Sequence, residues 1–322
     1  MSPALTLSKP RANLPSADLA PHLAAALQYA RAEKSAATRK AYKTDFDIFN
    51  RWCDERGLAG LPAAPETVAG FLAHQAGQAA KPSTIGRRCA AIRYAHRLAG
   101  HQSPTDSEAV KATVRGIRRT LGSMRSRKTP ATADLVLAMA ALAKADAKGL
   151  RDRALLLLGF AGAFRRSELV ALDIADLRET EAGLVVTIRR SKTDQEGQGR
   201  TVAIVRGAIA CPVRAVQQWL GAVGISEGPV FRPVGKGGRI GMGRLSDKQV
   251  ARTIKAFVGL IGLNADEFAG HSLRAGFLTS AAAKGANIFK MCDVSGHRSM
   301  DTLRGYVRSV ELFQDHAGAG LL

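Results

Sequence analysis

Four short stretches in the C-terminal half of the chain gather residue types that can handle a phosphate. GAFRRSELVAL carries Arg165, Arg166 and Glu168. RRSKTDQEGQG places Lys192 at the end of a β-rich run. GHSLRAG sets His271 and Arg274 one helical turn apart, on one face of a helix. VSGHRSMDTLRGYVR carries His297 and, nine positions later, Tyr306, the only tyrosine after position 94. A core tyrosine needs no basic surroundings. A tyrosine that must meet phosphate does.

One chemistry could use all of them. In phosphoryl transfer without a metal, negative charge spreads over the non-bridging oxygens, and two guanidinium forks can neutralise it in bidentate fashion. A phenol is a nucleophile that can later leave, and a histidine near neutrality helps to deprotonate it. The departing sugar oxygen is a poor leaving group and needs a proton, which a lysine on a strand turn could give. Tyr, two Arg, two His and Lys form a metal-free and cofactor-free set for transesterifying a phosphodiester. Taken singly these signals are weak: an HxxR is usually an ordinary surface pair and a lone tyrosine usually core. Their order and mutual completeness carry the inference.

The elements that must hold such a set belong to a chain of 322 residues, enough for one large domain or two ordinary ones. Hydrophobic residues make up 46%, which provides a real core. Lys and Arg outnumber Asp and Glu by 47 to 27, a net charge of +20 that points to a polyanion, hence nucleic acid. No apolar run is long enough to span a bilayer, which argues against a membrane partner. The N-terminus lacks the order of a signal peptide. The four cysteines, Cys53, Cys89, Cys211 and Cys292, form no CxxC pair, which argues against zinc or a disulfide framework and fits a reducing cytoplasm.

Residues 1–16 read as a disordered lead. From Ser35, Tyr42, Phe46, Phe49 and Cys53 recur at helical steps, with Arg39, Lys40 and Lys43 mainly off that face. A second helix spans Glu66–Ala76. A third starts at PST with Ser83 as its expected cap; Ile85, Cys89 and Ile92 face inward, and Arg87 and Arg88 lie outside. A fourth opens with a capping box, Thr105 to Glu108, and buries Val110, Val114, Ile117 and Leu121 while exposing Lys111, Arg115, Arg118 and Arg119. Residues 17–121 thus form an all-helical bundle with cationic outer faces. Net charge is +12 over residues 1–128 and +8 over the remainder.

The segment 122–134, with Arg127 and Lys128, reads as a basic linker. A catalytic domain, 135–308, follows: helices over Ala133–Ala145, Leu150–Phe160 and Ser167–Leu172, two strands in GLVVTIRRSK and TVAIVR, and helices over Val213–Leu220, Asp247–Ile261 and Leu273–Lys284. The Asp247–Ile261 helix carries Lys248, Gln249, Arg252 and Lys255 opposite Val250, Ile254, Phe257 and Ile261, so it could read base edges from the major groove. VGKGGRIGMG is rejected as a phosphate loop because no Ser or Thr follows its GK and no apolar strand leads in. The fold class is mainly α: an N-terminal helical bundle plus a mostly helical domain with a small antiparallel β-sheet.

On RRSE, SKT, HSLR, SGHRS and Tyr306, over nearly the whole chain, the sequence resembles the tyrosine recombinase, or phage integrase, family. It looks most like the simple two-domain, Cre-like type, beginning almost directly with a SAM-like core-binding bundle. The resemblance implies that Arg165 and Arg274 clamp the scissile phosphate and that Glu168 braces the site. Lys192 would be general acid for the 5′-hydroxyl, His271 general base and His297 a hydrogen-bond donor to a phosphate oxygen. Tyr306 would attack to give a 3′-phosphotyrosine link, which stores the bond energy so that rejoining needs no ATP. Two departures stand out: the position after Arg165 is commonly apolar but here is Arg166, and His297 stands where Cre has tryptophan. The family forms a C-shaped clamp on double-stranded DNA with inverted-repeat sites. Four protomers pair two sites, exchange strands through a Holliday junction, and can take an accessory directionality factor. The tail 309–322 would be a docking helix, anchored by Val310, Leu312 and Phe313. The implied location is cytoplasmic, at a bacterial nucleoid or in a phage-infected cell. The competing readings are a type IB topoisomerase-like relaxer and a DNA-binding accessory or regulatory protein without chemistry.

Overall fold

The computed structural model describes residues 19–122, 128–191, 198–297 and 299–310. The expected lead 1–16, Arg127, Lys192 and all but the first two residues of the tail lie outside them. The chain divides into two compact units, Met1–Arg125 and Ser126–Leu322.

The first unit is helical: α1 (Leu19–Ala32), α2 (Ala36–Asp54), α3 (Pro65–Gly77), α4 (Pro82–Leu98) and α5 (Glu108–Leu121). Ser35 caps α2 by accepting a hydrogen bond from the Thr38 N–H at 3.2 Å. The expected apolar face of α2 delivers Phe49 and Cys53 to a core shared with Val68, Phe71 and Leu72 of α3, Ile85 and Ile92 of α4, and Val110 of α5. Phe49 and Phe71 meet edge to face, centroids 5.0 Å apart. Burying each such ring contributes about 1.5–3 kcal/mol.

Four local expectations need correction. Helix α1 was not foreseen; its LAPHLAAALQYARA sequence is alanine-rich, so helix propensity rather than a bulky apolar stripe marks it. Ser83 is not a cap: Pro82 takes the first helical position, where its missing N–H is harmless, and Lys81 becomes the N-cap. Thr105 lies in a separate 3-10 turn, Pro104–Asp106, where its hydroxyl accepts from Arg93 Nε at 2.9 Å. The true cap of α5 is Ser107, whose hydroxyl accepts from the Val110 N–H. Leu121, at the end of that helix, is 46% exposed rather than core.

The second unit runs α6 (Ala133–Ala141), α7 (Ala147–Ala161), α8 (Arg166–Ala171), β1 (Leu177–Thr180), β2 (Gly183–Ile188), β3 (Arg200–Val205), α9 (Pro212–Val223), α10 (Asp247–Leu260), α11 (Ser272–Ala283), α12 (Ile288–Ser295) and α13 (Met300–Val310). The strands form an antiparallel sheet in the order β1-β2-β3. Pairing of Val186 with Val202 and of Leu184 with Ile204 sets one apolar face toward the core. Strand β1, sequence LRET, was not foreseen, being too short and polar to show an alternation.

Helix α7 is the spine of this unit: Leu155, Leu156, Leu157 and Leu158 are all buried, so it is enclosed on every side. Helix α11 packs so tightly against the chain before α6 that a Cβ on Gly276 would fall 1.6 Å from the Ala131 carbonyl oxygen. That glycine brings α11, and the side chains it carries, into register with α7. A smaller cluster of Leu278, Ala282, Met291 and Leu303 joins α11, α12 and α13. Among the described residues no helix is long and apolar enough to cross a membrane.

Candidate active site

The corner between α7 and α8 starts the site. Ala163 holds a left-handed backbone, φ 46°, which costs a residue with a Cβ about 1–2 kcal/mol. Its carbonyl accepts from Nη1 of Arg274 at 2.7 Å. Two residues later Arg165 is the N-cap of α8. The buried Glu168 carboxylate accepts from Arg165 twice, from Nη1 at 2.5 Å and from the backbone N–H at 3.0 Å. A capping carboxylate thereby fixes the direction of a guanidinium. The doubled arginine divides its work: Arg165 turns inward to Glu168, whereas the exposed Arg166 pairs through Nε with Asp247 at 3.1 Å.

Arg274 rises from the first turn of α11 and is fully buried. Its Nη2 lies 3.1 Å from Nδ1 and 3.2 Å from Nε2 of His297. His271, the N-cap of α11, is exposed. His271 already holds right-handed helical backbone angles, φ −91° and ψ −10°, and its charge is felt at His297, so it stays within reach of the site that Arg274 enters.

His297 follows Gly296, which ends α12 in a left-handed conformation, φ 63°. The Ser295 hydroxyl donates its one proton to the Met291 carbonyl at 2.6 Å, so it must accept from His297 Nδ1–H at 2.8 Å. The Nε2 lone pair then faces Arg274. Burial first, then the Arg274 and Arg165 charges, push the His297 pKa down to about 3, so the imidazole is neutral. Burial, seconded by the Arg165 charge, lowers the Arg274 guanidinium to about 10. Sequence reasoning missed Arg200, at the start of β3. Its Nη1 donates to the Val294 carbonyl at 2.8 Å, and its Nη2 lies 3.6 Å from Glu168. Burial holds it too below the ordinary guanidinium range. Arg165 and Arg200 thus share one carboxylate and Arg274 lies close enough to feel both their charges, an excess of positive charge that an incoming phosphate would relieve.

Tyr306, on α13, is half-buried against the cluster of Leu278, Met291 and Leu303, and Arg274 feels its phenol. Lys192 lies outside the described residues, between the end of β2 at Ile188 and the start of β3 at Arg200. The structure therefore brings together Arg165, Glu168, Arg274 and His297, with Tyr306 and His271 within electrostatic reach. A cavity of about 400 Å³ opens behind Glu168, where Arg189 is paired with Asp173 and Asp176, and Arg244 with Asp173.

The basic residues expected to touch a polyanion differ in freedom. Lys40, Arg118, Arg119, Lys248 and Arg252 are exposed, and Arg39 and Gln249 are half-buried. Lys43 pairs with Asp47, and Arg115 with Glu108. Arg87 grips the buried Asp45 through two hydrogen bonds, 2.6 and 3.1 Å, with the half-buried Arg88 3.8 Å from the same carboxylate. Lys128 donates to the Asp266 carbonyl at 2.6 Å, and Lys255 pairs with the Asp266 carboxylate.

The same architecture occurs in known proteins. Residues 131–311 match the phage integrase family and residues 26–103 match the phage integrase N-terminal SAM-like domain. The chain belongs to the phage integrase family. An integrase/recombinase XerD homolog of Selenomonas ruminantium is 40% identical over 295 residues, covering 89% of this chain and 86% of that protein. Recombinase Cre of Escherichia phage P1 is 24% identical over 279 residues, covering 81% and 80%. The solved structure of the Tn1549 transposon integrase, in complex with transposon right end DNA, shares the fold with a TM-score of 0.60 at 16% identity, over 88% of this chain and 93% of that one. The chain is a tyrosine recombinase, mostly helical, with a SAM-like N-terminal domain and a small antiparallel sheet.

Proposed function

We propose that this tyrosine recombinase cuts and rejoins double-stranded DNA at a specific site through a covalent 3′-phosphotyrosine, with no metal and no ATP. The observation that carries the reading is the buried Arg274, which donates to a carbonyl and an imidazole and has no carboxylate within ion-pair distance among the described residues. A buried cation in that condition is stabilised by an anion that comes and goes.

In the proposed step, Tyr306 Oη attacks the scissile phosphorus and the bond to the 5′-oxygen breaks. The phenol proton passes to His271, and Lys192 protonates the departing 5′-hydroxyl. Arg165 and Arg274 hold the non-bridging oxygens, and Glu168 aims Arg165. The neutral His297 shares its Nε2 with Arg274 in the free protein. On arrival of the phosphate the added negative charge offsets the surrounding arginines, so His297 takes up a proton from solvent at Nε2 and donates a hydrogen bond from it to a non-bridging oxygen. Attack by a new 5′-hydroxyl reverses the step. The exposed Lys40, Arg118, Arg119, Lys248 and Arg252 supply phosphate contacts, which position rather than specify. The names of the relatives support a strand-exchange role. Four protomers on two inverted-repeat sites, a Holliday junction, an accessory directionality factor and docking through the tail 309–322 complete the proposal.

The test is a suicide-nicked duplex carrying the inverted repeats that flank the gene, incubated with protein and chelator and run on a denaturing gel. The expected result is a covalent protein–DNA band that vanishes in Tyr306→Phe while binding persists. A band that survives Tyr306→Phe, or no band with specific binding intact, contradicts the proposal.

A further inference from the structure

We infer that Arg200 is a positioning residue of this active site, clamping the turn that carries His297 against Glu168 without touching the DNA itself. The inference rests on the reaction proposed above.

Three observations converge on it. Arg200 opens β3, yet its side chain leaves the sheet and reaches α12, where Nη1 donates to the Val294 carbonyl at 2.8 Å. The other branch of the same fork, Nη2, lies 3.6 Å from Oε2 of Glu168, the carboxylate that also holds Arg165. One rigid, planar group therefore spans the end of α12 and the start of α8. The second observation is Gly296. It adopts a left-handed backbone, and a Cβ there would fall 2.6 Å from Arg200 Nε and 2.9 Å from Cζ. Glycine is required twice over, for the turn and for the passage of the guanidinium. The third is the degree of enclosure: Nε and Nη2 are shut off from solvent and have no hydrogen-bond acceptor among the described residues. Such burial of a cation is unfavourable for stability alone, and it is found where geometry matters more.

The consequence falls on His297, which immediately follows Gly296. Its ring is fixed from one side by Ser295 and Arg274 and, through the backbone of Val294 to Gly296, from the other by Arg200. Loss of the clamp frees the turn by an ångström or so, and a displacement of that size at a reacting centre slows chemistry by about 10²-fold.

The experiment measures the rate of covalent adduct formation for wild type, Arg200→Met, Arg200→Lys, Gly296→Ala and the Arg200→Met/Gly296→Ala double variant. Each acts on the natural site and on a site whose scissile phosphate is a methylphosphonate, which lacks the negative charge. DNA affinity and thermal midpoint are followed alongside. In parallel, imidazole ¹⁵N spectra of the DNA-free proteins report on His297. We expect Arg200→Met and Gly296→Ala each to slow adduct formation by about 10²-fold at unchanged DNA affinity, and the double variant to be no slower than either, since both break one clamp. Arg200→Lys gives little recovery, because a single ammonium cannot reach both the Val294 carbonyl and the Glu168 carboxylate. The methylphosphonate restores none of them, and the His297 resonances shift in each. If Arg200→Met fails to fold, Arg200→Lys and Gly296→Ala carry the comparison. Wild-type rate in Arg200→Met overturns the inference, as do unshifted His297 resonances. Rescue by the methylphosphonate also overturns it, since Arg200 would then be a phosphate ligand. A wild-type protein that forms no adduct contradicts the reaction itself, and the His297 spectra then decide the inference on their own.

Discussion

Arg151 and Arg274 are both buried in the C-terminal unit, at 2% and 0% exposure, and they are buried in opposite ways. Arg151, on α7, sends Nε and Nη2 to one oxygen of Asp152 at 3.0 and 2.6 Å. Asp152 also receives Lys148 at 2.7 Å and the Thr253 hydroxyl at 3.4 Å. Arg151 thus has its counter-ion beside it, and the cluster serves the fold. Arg274 has a carbonyl and an imidazole in place of a carboxylate, and burial drives its pKa down to about 10. The difference teaches how to tell a structural cation from a working one: the first has its counter-ion built in, the second waits for one.

Each side of the contrast can be broken by substitution. Arg151→Met strands Asp152 in the core, so it should destabilise by about 3 kcal/mol, the lower end for a broken buried pair because Lys148 remains. Urea unfolding reads that loss, and adduct formation by the folded fraction should be unchanged. Arg274→Met should do the reverse. Its cleavage rate should fall by about 10²–10³-fold, as for loss of one donor to a developing anion, while its thermal midpoint stays level or rises because an unpaired buried charge has gone. Should Arg274→Met unfold as readily as Arg151→Met, the contrast fails.

The N-terminal unit sharpens the same point. Arg87 is half-exposed but committed to the buried Asp45, so it resembles Arg151 more than Arg274. Asp45→Asn should weaken that unit by about 1–3 kcal/mol, the range for a hydrogen-bonded buried ionic group, and leave the chemistry of bound DNA unaltered. Chemical denaturation followed by Trp52 fluorescence would show it.

His297 gives the smallest effect. The folded protein keeps it neutral down to about pH 3, whereas an unfolded histidine takes its proton near 6.5. Between those values the unfolded chain binds more protons. The contribution of this residue is therefore complete above about pH 6.5 and declines as pH falls toward 3. In His297→Asn the stability curve should flatten over that window. In the free wild-type protein the His297 imidazole should stay neutral in ¹⁵N spectra between pH 8 and 5, and addition of the DNA site should raise its pKa.

Much of this was legible in the sequence, for identifiable reasons. Apolar steps of three and four marked α2 and the inner face of α4, because bulky residues such as Phe49 and Ile92 must point one way. Arg165, Glu168, Arg274, His297 and Tyr306 stood out by type and order. What failed was decided by competition between neighbours. Pro82 displaced Ser83 as the start of α4, and Ser107 displaced Thr105, which had a partner in Arg93. Arg200 and Ser295 were invisible because their roles depend on contacts made in three dimensions. Nothing in GRTVAIV announces that its arginine will meet the carbonyl of Val294, 94 residues away.

The most direct test of the contrast places a methylphosphonate at the scissile position and compares wild type with Arg274→Met. If Arg274 exists to meet the phosphate charge, the variant should fail on natural DNA and recover cleavage on the uncharged phosphonate. A variant equally inactive on both, or fully active on natural DNA, would contradict that claim.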